Sequence, residues 1–204
     1  MSLALPCFAV ASQSINFINH AALAAPIMAE LAISPAQAGL LSTAMFAVGG
    51  VLAVPIGSAI DRVGARPVMA LSLFLLAAST LALATATSFP AMLLIRAAGG
   101  FGVTATFIAG GQYVSALSRR GSFLAQGFLG GSIQLGLAIA VFALPAAADI
   151  VGWRVTLAAS AMPAAVAFIV WLWRARWARS GCCSASPRAR WAASSSRGGW
   201  CRRG

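Results

Sequence analysis

Six long runs without a charged residue constrain the fold of this chain more than any other feature. They cover residues 1–29, 31–60, 67–95, 97–118, 121–148 and 155–173. Each reaches roughly the 20 residues that a helix needs to cross about 30 Å of hydrocarbon. Of the 204 residues, 60% are hydrophobic and 8% are charged, whereas about a quarter are charged in a soluble domain. The sequence therefore predicts an integral membrane protein with six transmembrane helices.

Helices are the expected form of these runs, because a segment in lipid must satisfy its backbone hydrogen bonds within itself. Ser34 followed by Pro35 is typical of a helix N-cap with a first-turn proline. Gly64 suits a sharp turn between the second and third helices, since glycine adopts a positive φ without strain. We predict an all-α membrane protein with helices near 3–27, 36–59, 67–87, 90–116, 122–146 and 153–173.

The distribution of arginines predicts the topology. All 14 basic residues are arginine. Arg62 and Arg66, Arg119 and Arg120, and a run that starts at Arg174 fall on one side of the predicted membrane, whereas the opposite loops hold a single arginine. By the positive-inside rule, both termini are predicted to be cytoplasmic, in a bacterial inner (plasma) membrane. The net charge of +11 therefore indicates a lipid bilayer as partner and not a nucleic acid.

The last segment, residues 174–204, differs in composition from the six-helix bundle predicted for residues 1–173. It uses seven residue types, Arg, Ala, Trp, Ser, Gly, Cys and Pro, and lacks Leu, Val, Ile and Phe. Such a segment cannot build a core, so it is predicted to be disordered. All seven types have GC-rich codons, which favours an out-of-frame translation after a frameshift near residue 174. The alternative is an arginine-rich juxtamembrane segment that binds anionic lipid.

Cysteine and histidine are too few and too scattered to indicate metal or redox chemistry. The cysteines form no Cys-x-x-Cys pair, and they are Cys7, Cys182, Cys183 and Cys201. His20 is the only histidine, and one histidine cannot form a metal site with several ligands. We therefore expect no metal, no cofactor, no disulfide framework and no catalytic residues.

The loop between the second and third predicted helices carries a dense set of charges and glycines. Its pattern residues are Gly57, Asp61, Arg62, Gly64 and Arg66. The pattern resembles the G-x-x-x-D-x-x-G-x-R loop of the major facilitator superfamily. In that family the loop latches the cytoplasmic ends of two halves together in one conformation. The resemblance implies that these five residues form a gating loop.

The resemblance also implies a secondary transporter that moves a small solute by alternating access. It covers roughly residues 5–173, and Pro67 is a mild departure where the family more often has a basic residue. This span corresponds to the N-terminal six-helix half of a twelve-helix family, built from two inverted three-helix repeats. We therefore expect a missing C-terminal six-helix half as partner, and we expect the 204-residue chain to be inactive alone.

A second element, on the fourth predicted helix, supports the resemblance. It matches the family's R-x-x-x-G-x-G pattern, whose arginine is often linked to proton coupling or substrate binding. An arginine within the membrane is a functional candidate by default, although its side chain can also snorkel to the interface. The predicted substrate or proton path joins this element to polar residues of the first and fifth helices. Its residues are Arg96, Gly100, Gly102, Asn16, Asn19, His20 and Gln134.

Two points about this path are left open by the sequence: the charge of the substrate and the role of the asparagine side chains. A cationic Arg96 suggests an anionic substrate. The amides of Asn16 and Asn19 either line a wet cavity or hydrogen-bond to neighbouring helices. On the fifth helix, Gly127 and Gly131 are four residues apart, a spacing that predicts close helix packing.

Two other classes of protein are weaker alternatives. One is a small membrane-interaction subunit of a larger complex. The other is a rhomboid-like intramembrane hydrolase, for which Gly130-Gly131-Ser132 would supply the nucleophile. That chemistry needs a histidine on a later helix to activate the serine, whereas His20 lies on the first helix. The chain is therefore not expected to be an enzyme.

Overall fold

The computed structural model describes residues 3–117 and 122–180, and these form helices and short connections without a strand. Arg119 and Arg120, the predicted tail beyond residue 180, and Cys182, Cys183 and Cys201 lie outside the described residues. The helices are α1 Ala4–Ala22, α2 Ala24–Leu31, α3 Pro35–Val63, α4 Ala65–Thr85, α5 Phe89–Leu117, α6 Ser122–Val151, α7 Trp153–Ser160 and α8 Met162–Ser180.

The chain divides into two compact units, Met1–Trp171 and Leu172–Gly204. The first contains α1 to α7 and about half of α8. The described part of the second is the end of α8, which is helical to Ser180. Disorder was predicted from residue 174 onward, but the backbone of residues 174–180 is helical. Arginine and alanine, which are frequent there, are among the best helix formers.

Five segments of the described chain are long and apolar enough to cross a membrane. They are Pro35–Val63, Ala65–Thr85, Phe89–Ser115, Phe123–Val151 and Trp153–Trp173. The first of the six predicted spans is absent from this set, because α1 carries several polar side chains and ends at Ala22 before the short α2 begins. The predicted all-α fold is confirmed for the described residues, with five candidate membrane helices, whereas the predicted count of six is not.

Two predicted spans are each divided into two helices, and a proline accompanies each break. Leu23 separates α1 from α2, and Ala161 separates α7 from α8. Pro26 and Pro163 follow these breaks closely. Proline lacks an N–H and clashes with the carbonyl one turn earlier, so it disturbs the helix just before its own position. These prolines were the available sequence signal for both breaks.

Local signals at the ends of α3 are confirmed. The Ser34 hydroxyl accepts from the backbone N–H of Gln37 at 3.3 Å, and the Gln37 side chain accepts from the backbone N–H of Ser34 at 2.8 Å. This reciprocal pair satisfies two of the donors that a helix start leaves without partners. At the other end, Gly64 has a φ of 92° and turns the chain directly into α4.

Helix α5 packs between α3 and α4, and two glycines permit its close approach. A Cβ on Gly100 would overlap the carbonyl oxygen of Met45 on α3. A Cβ on Gly102 would lie 3.1 Å from the carbonyl oxygen of Ser72 on α4. Both glycines were predicted to belong to a substrate or proton path, whereas the structure places them at buried helix contacts.

One end of the bundle is held by a polar cluster around Arg154. Its guanidinium donates to the Glu30 carboxylate at 2.9 Å and to the carbonyl oxygens of Ala84 and Ala86 at 3.0 and 3.1 Å. The indole of Trp153 also donates to Glu30. These bonds join α2, α7 and the end of α4. The hydrogen bond from Trp153, followed by that from Arg154, holds the pKa of the Glu30 carboxyl below its usual range.

Candidate functional site

A cavity of about 490 Å³ lies among α1, α3, α5 and α6. Its lining residues fall near the middle of each of these four helices. They are Gln13, Ser14 and Phe17 of α1, Met45, Phe46, Gly49, Gly50 and Ala53 of α3, Val103, Thr104 and Phe107 of α5, and Ile133 and Leu137 of α6. The volume lies within the range of about 300–1,000 Å³ that is typical of small-molecule sites.

The cavity wall is mainly apolar and aromatic. The rings of Phe17 and Phe46 contact each other edge to face, with centroids 5.3 Å apart, and Phe107 adds a third aromatic side chain. None of the described residues that line the cavity carries a charge. Polar side chains come from three positions, Gln13, Ser14 and Thr104.

One polar residue of the wall, Gln13, carries a buried atom without a hydrogen-bond partner among the described residues. Its side chain is 6% exposed, and its Oε1 is buried without a hydrogen-bond partner among the described residues. By contrast, the hydroxyl of Ser14 donates to the carbonyl oxygen of Val10 at 2.9 Å. Most buried polar atoms in proteins do have a partner. Gln13 Oε1 is therefore a buried acceptor without a partner among the described residues, and the surrounding side chains enclose it and separate it from the cavity.

Arg96 lies beside the cavity and not on its wall. Its side chain is 4% exposed and points from α5 to α1. There it donates to the carbonyl oxygens of Phe17 at 2.7 Å and Asn16 at 3.1 Å, and it contacts Nδ1 of His20. In the described ranges no carboxylate pairs with it. Carbonyl dipoles and the imidazole therefore solvate this charge, and the side chain does not snorkel to the interface.

The contact with Arg96 fixes how His20 uses its two ring nitrogens. A guanidinium has donors and no acceptor, so Nδ1 of His20 must accept from it. The proton of a neutral imidazole then resides on Nε2, which lies 2.7 Å from the hydroxyl oxygen of Ser42 on α3 and donates to it. His20 and Ser42 also line a smaller cavity of about 180 Å³ among α1, α2 and α3.

The two asparagines of α1 point into the bundle. Asn16 accepts from the hydroxyl of Thr80 on α4 at 2.7 Å and donates to the Ser12 carbonyl oxygen at 2.9 Å. Asn19 donates to the hydroxyl of Ser160 on α7 at 3.0 Å. The sequence left open whether these amides line a wet cavity or hydrogen-bond to neighbouring helices, and the contacts with Thr80 and Ser160 are hydrogen bonds between helices.

The predicted residues of α6 face outward. Gln134, Gly127 and Gly131 are exposed, and a Cβ added to either glycine would meet nothing within 4 Å. Neither glycine lies at a close helix contact within the described bundle, and the predicted packing at Gly127 and Gly131 stays a prediction. Helix α6 instead approaches α1 at Gly136, where an added Cβ would overlap the carbonyl oxygen of Ala11.

Of the predicted gating loop, only Gly64 lies between the helices, whereas Gly57, Asp61 and Arg62 belong to α3 and Arg66 belongs to α4. Asp61, Arg62 and Gly64 are exposed at this end of the bundle. The backbone carbonyl of Arg66 accepts from the indole of Trp171 on α8 at 3.1 Å, which fixes the start of α4. The loop and the cavity are thus at different levels of the same bundle.

Comparison with known proteins is consistent with this architecture. The family profile described as Major Facilitator Superfamily matches residues 5–186. The match includes the helices that line the cavity, the α3–α4 turn and Arg96. No curated protein matches the chain.

Proposed function

Because the chain belongs to the Major Facilitator Superfamily, whose members are transmembrane transporters and not enzymes, we propose that it is one half of a secondary transporter that moves a small solute by alternating access. Membership makes the chain an integral membrane protein with a role in transport. We further propose that the chain moves a small solute, that it forms one of two halves of the transporter, and that it works by alternating access.

The position of the 490 Å³ cavity is the observation that carries this proposal. Its walls come from the middle of four helices, three of which are long and apolar enough to span a membrane. If these helices cross the bilayer, the cavity lies near its midplane. Substrate sites of secondary transporters lie at that depth.

The proposed topology completes the bundle with six spans. The first consists of α1 and α2, and the sixth of α7 and α8, so that the helices form two inverted three-helix repeats. Both termini are then cytoplasmic, in a bacterial inner membrane, and so is the α3–α4 turn. In this topology Gly57, Asp61, Arg62, Gly64 and Arg66 gate the cytoplasmic side by contact with a second six-helix bundle.

The second bundle is the partner that the cycle requires. Alternating access needs a site between two bodies that rock against each other, and the described helices form one of them. A C-terminal half in another polypeptide is the partner that the proposal predicts. The chain by itself is expected to bind solute without completing transport.

Water access to the cavity tests the proposal without knowledge of the solute. Ala53 lines the cavity, whereas its neighbour Val54 is 77% exposed on the outer surface of the bundle. In a chain whose native cysteines are replaced by serine, Ala53→Cys should react with a membrane-impermeant, hydrophilic thiol reagent. Val54→Cys, buried in lipid, should not react.

Labelling in intact cells and in inverted vesicles gives the side from which the cavity is open. Reaction of Ala53→Cys from either side, with Val54→Cys inert, supports a solute path. If both variants remain unreactive from both sides, the cavity is closed to water and the transport proposal fails.

A further inference from the structure

The contact between His20 and Arg96 depends on the charge of the imidazole ring. Nδ1 of His20 accepts from the guanidinium of Arg96, and a ring nitrogen accepts only while it carries no proton. We infer that His20 is a proton-binding site, and that a proton bound at Nδ1 displaces Arg96 and releases α5 from this part of α1. The inference goes beyond the proposed function, because it concerns a switch inside the bundle and does not involve the solute cavity.

Arg96 is the side chain that a proton on His20 displaces. It reaches from α5 to the last two turns of α1, where Nη2 donates to the carbonyl oxygens of Phe17 at 2.7 Å and Asn16 at 3.1 Å. The same nitrogen contacts Nδ1 of His20. A protonated Nδ1 offers it no acceptor, and an imidazolium beside a guanidinium adds repulsion between like charges. Because one nitrogen makes all three contacts, its displacement also ends the two hydrogen bonds to the α1 backbone.

The charge of the imidazole is the deciding charge at this contact. Among the described residues, Arg96 is the one charged side chain that hydrogen-bonds to His20, and the neighbour from α3 is the neutral hydroxyl of Ser42. The other charged or titratable side chains of the described ranges lie near helix ends, and they are Cys7, Glu30, Asp61, Arg62, Arg66, Tyr113, Asp149 and Arg154. Of these, Glu30 of α2 pairs with Arg154 of α7. No second carboxylate or cation of this set therefore offsets a proton on His20.

The small cavity of about 180 Å³ provides space for water beside His20. Its polar side chains are His20 and Ser42, and its volume has room for several water molecules. Gly39 also lines it, is exposed, and lies four residues after the start of α3. Four residues of helix span about 6 Å, so the cavity lies close to one end of the bundle. Water that enters there supplies the proton and solvates the imidazolium that forms.

Solid-state NMR of the full chain in lipid bilayers tests the inference directly. His20 is the only histidine, so ¹⁵N in histidine and ¹³C at the arginine Cζ report on this contact, provided that the protein carries no histidine tag. The two conditions are roughly pH 8.5 and roughly pH 4.5, two units on either side of the usual histidine pKa of about 6.5. At the higher pH we expect a neutral ring whose Nδ1 is dipolar-coupled to an arginine Cζ. At the lower pH we expect an imidazolium without that coupling.

A second pair of labels follows the bond to the α1 backbone. Asn16 and Asn19 are the only asparagines, and the Asn19 carbonyl accepts from the backbone N–H of Leu23. A coupling between an asparagine carbonyl carbon and an arginine Nη nitrogen therefore reports on the bond from Arg96 to Asn16. This coupling should be present at the higher pH and lost together with the coupling to the imidazole as pH falls.

Three variants assign the response to His20. Arg96→Gln should remove both couplings at either pH, which identifies their source. Arg154→Gln, at the contact with Glu30, should leave both couplings and their pH dependence unchanged. In His20→Gln the side chain accepts from Arg96 but binds no proton in this pH range, so the coupling to the Asn16 carbonyl should persist at the lower pH.

Three results would overturn the inference. The first is a ring that stays neutral at the lower pH in protein that circular dichroism shows to be helical. The second is an imidazolium that forms while Arg96 remains coupled to the ring or to the Asn16 carbonyl. The third is loss of the carbonyl coupling in acid by His20→Gln, which would place the sensor elsewhere. The labelling of Ala53→Cys reports on the solute cavity, so its outcome judges the transport proposal separately.

Discussion

Replacement of Gly100 by alanine is the sharpest test of how α5 is held in the bundle. An added Cβ there would overlap the Met45 carbonyl oxygen, and backbone cannot move aside as the end of a flexible side chain can. Gly102 is less crowded, with its nearest neighbour, the Ser72 carbonyl oxygen, at 3.1 Å from an added Cβ. Gly127 has nothing within 4 Å and serves as the control.

Two opposing effects set the expected change in the free energy of unfolding. Glycine to alanine in a helix interior gains up to about 1 kcal/mol of helix propensity, and this gain is common to all three positions. Overpacking costs about 1–3 kcal/mol, and Gly100→Ala belongs at the upper end because the overlap is with backbone. We expect a net loss of roughly 1–2 kcal/mol for Gly100→Ala and roughly 0–1 kcal/mol for Gly102→Ala. Gly127→Ala should cause no loss.

Thermal unfolding of purified protein in detergent, followed by far-UV circular dichroism, measures these changes. For a chain of this size, 1 kcal/mol shifts Tm by about 2–4 °C. Gly100→Ala should therefore lower Tm by roughly 2–8 °C. The order of the three variants is the decisive result. If Gly127→Ala destabilises the protein as much as Gly100→Ala, the close contact between α5 and α3 does not limit stability and the reasoning is refuted.

Three further predictions follow from other contacts. Arg96→Lys should lower the free energy of unfolding by about 1–3 kcal/mol, because lysine keeps the buried charge but loses the planar guanidinium that donates several hydrogen bonds. Arg96→Met should lower it by less. A larger loss for Arg96→Met than for Arg96→Lys in the same thermal assay contradicts this prediction. Ser34→Ala should cost about 1 kcal/mol and Ser34→Gly only a few tenths, as measured by Tm, since glycine is itself a favourable N-cap residue. The pKa of Glu30 is lowered in the folded state, so its ion pair stabilises the fold above the usual glutamate pKa of about 4.3 and is lost as pH falls through the lowered value. The native chain should therefore have a higher Tm than Glu30→Gln at neutral pH, and this difference should vanish in acid. A Tm difference that grows as the pH falls contradicts a lowered pKa of Glu30 in the folded state.

The sequence was sufficient for the features that depend on neighbouring residues. The long uncharged runs predicted the helices α3 to α6, the Ser34-Pro35 pair predicted the start of α3, and Gly64 predicted the turn into α4. Each of these follows from hydropathy or from local hydrogen bonding. No knowledge of the neighbouring helices was needed.

The orientation of the α1 side chains could not be predicted in this way. Gln13, Asn16 and Asn19 are three residues apart, and in an α-helix each such step falls about 60° short of a full turn. These side chains therefore wind around α1, from the cavity at Gln13 to the bundle interior at Asn16 and Asn19. The sequence identified Asn16 and Asn19 as candidates, but which neighbour each residue faces depends on the packing of α1 against α4, α6 and α7.

The same limit explains the glycines of α6. A small-residue pattern shows where a helix is able to approach another, but not that a partner is present. Gly127 and Gly131 have the expected spacing and face outward, whereas Gly136 makes the close contact with α1. The aromatic wall of the cavity was missed for a related reason, because Phe17, Phe46 and Phe107 come from three separate helices.

The contact between Arg96 and α1 has a consequence for the order in which the chain enters the membrane. An arginine at the centre of a spanning helix raises the cost of insertion by about 2.5–3.5 kcal/mol, and Arg96, seven residues after the start of α5, incurs part of that cost. Its acceptors on α1 precede it by 76 to 80 residues, so they are synthesised first and already lie in the bilayer when α5 leaves the ribosome. The acceptors on α1 can therefore lower the cost of burying Arg96 as α5 inserts. A chain that starts after α1 is expected to insert α5 less efficiently.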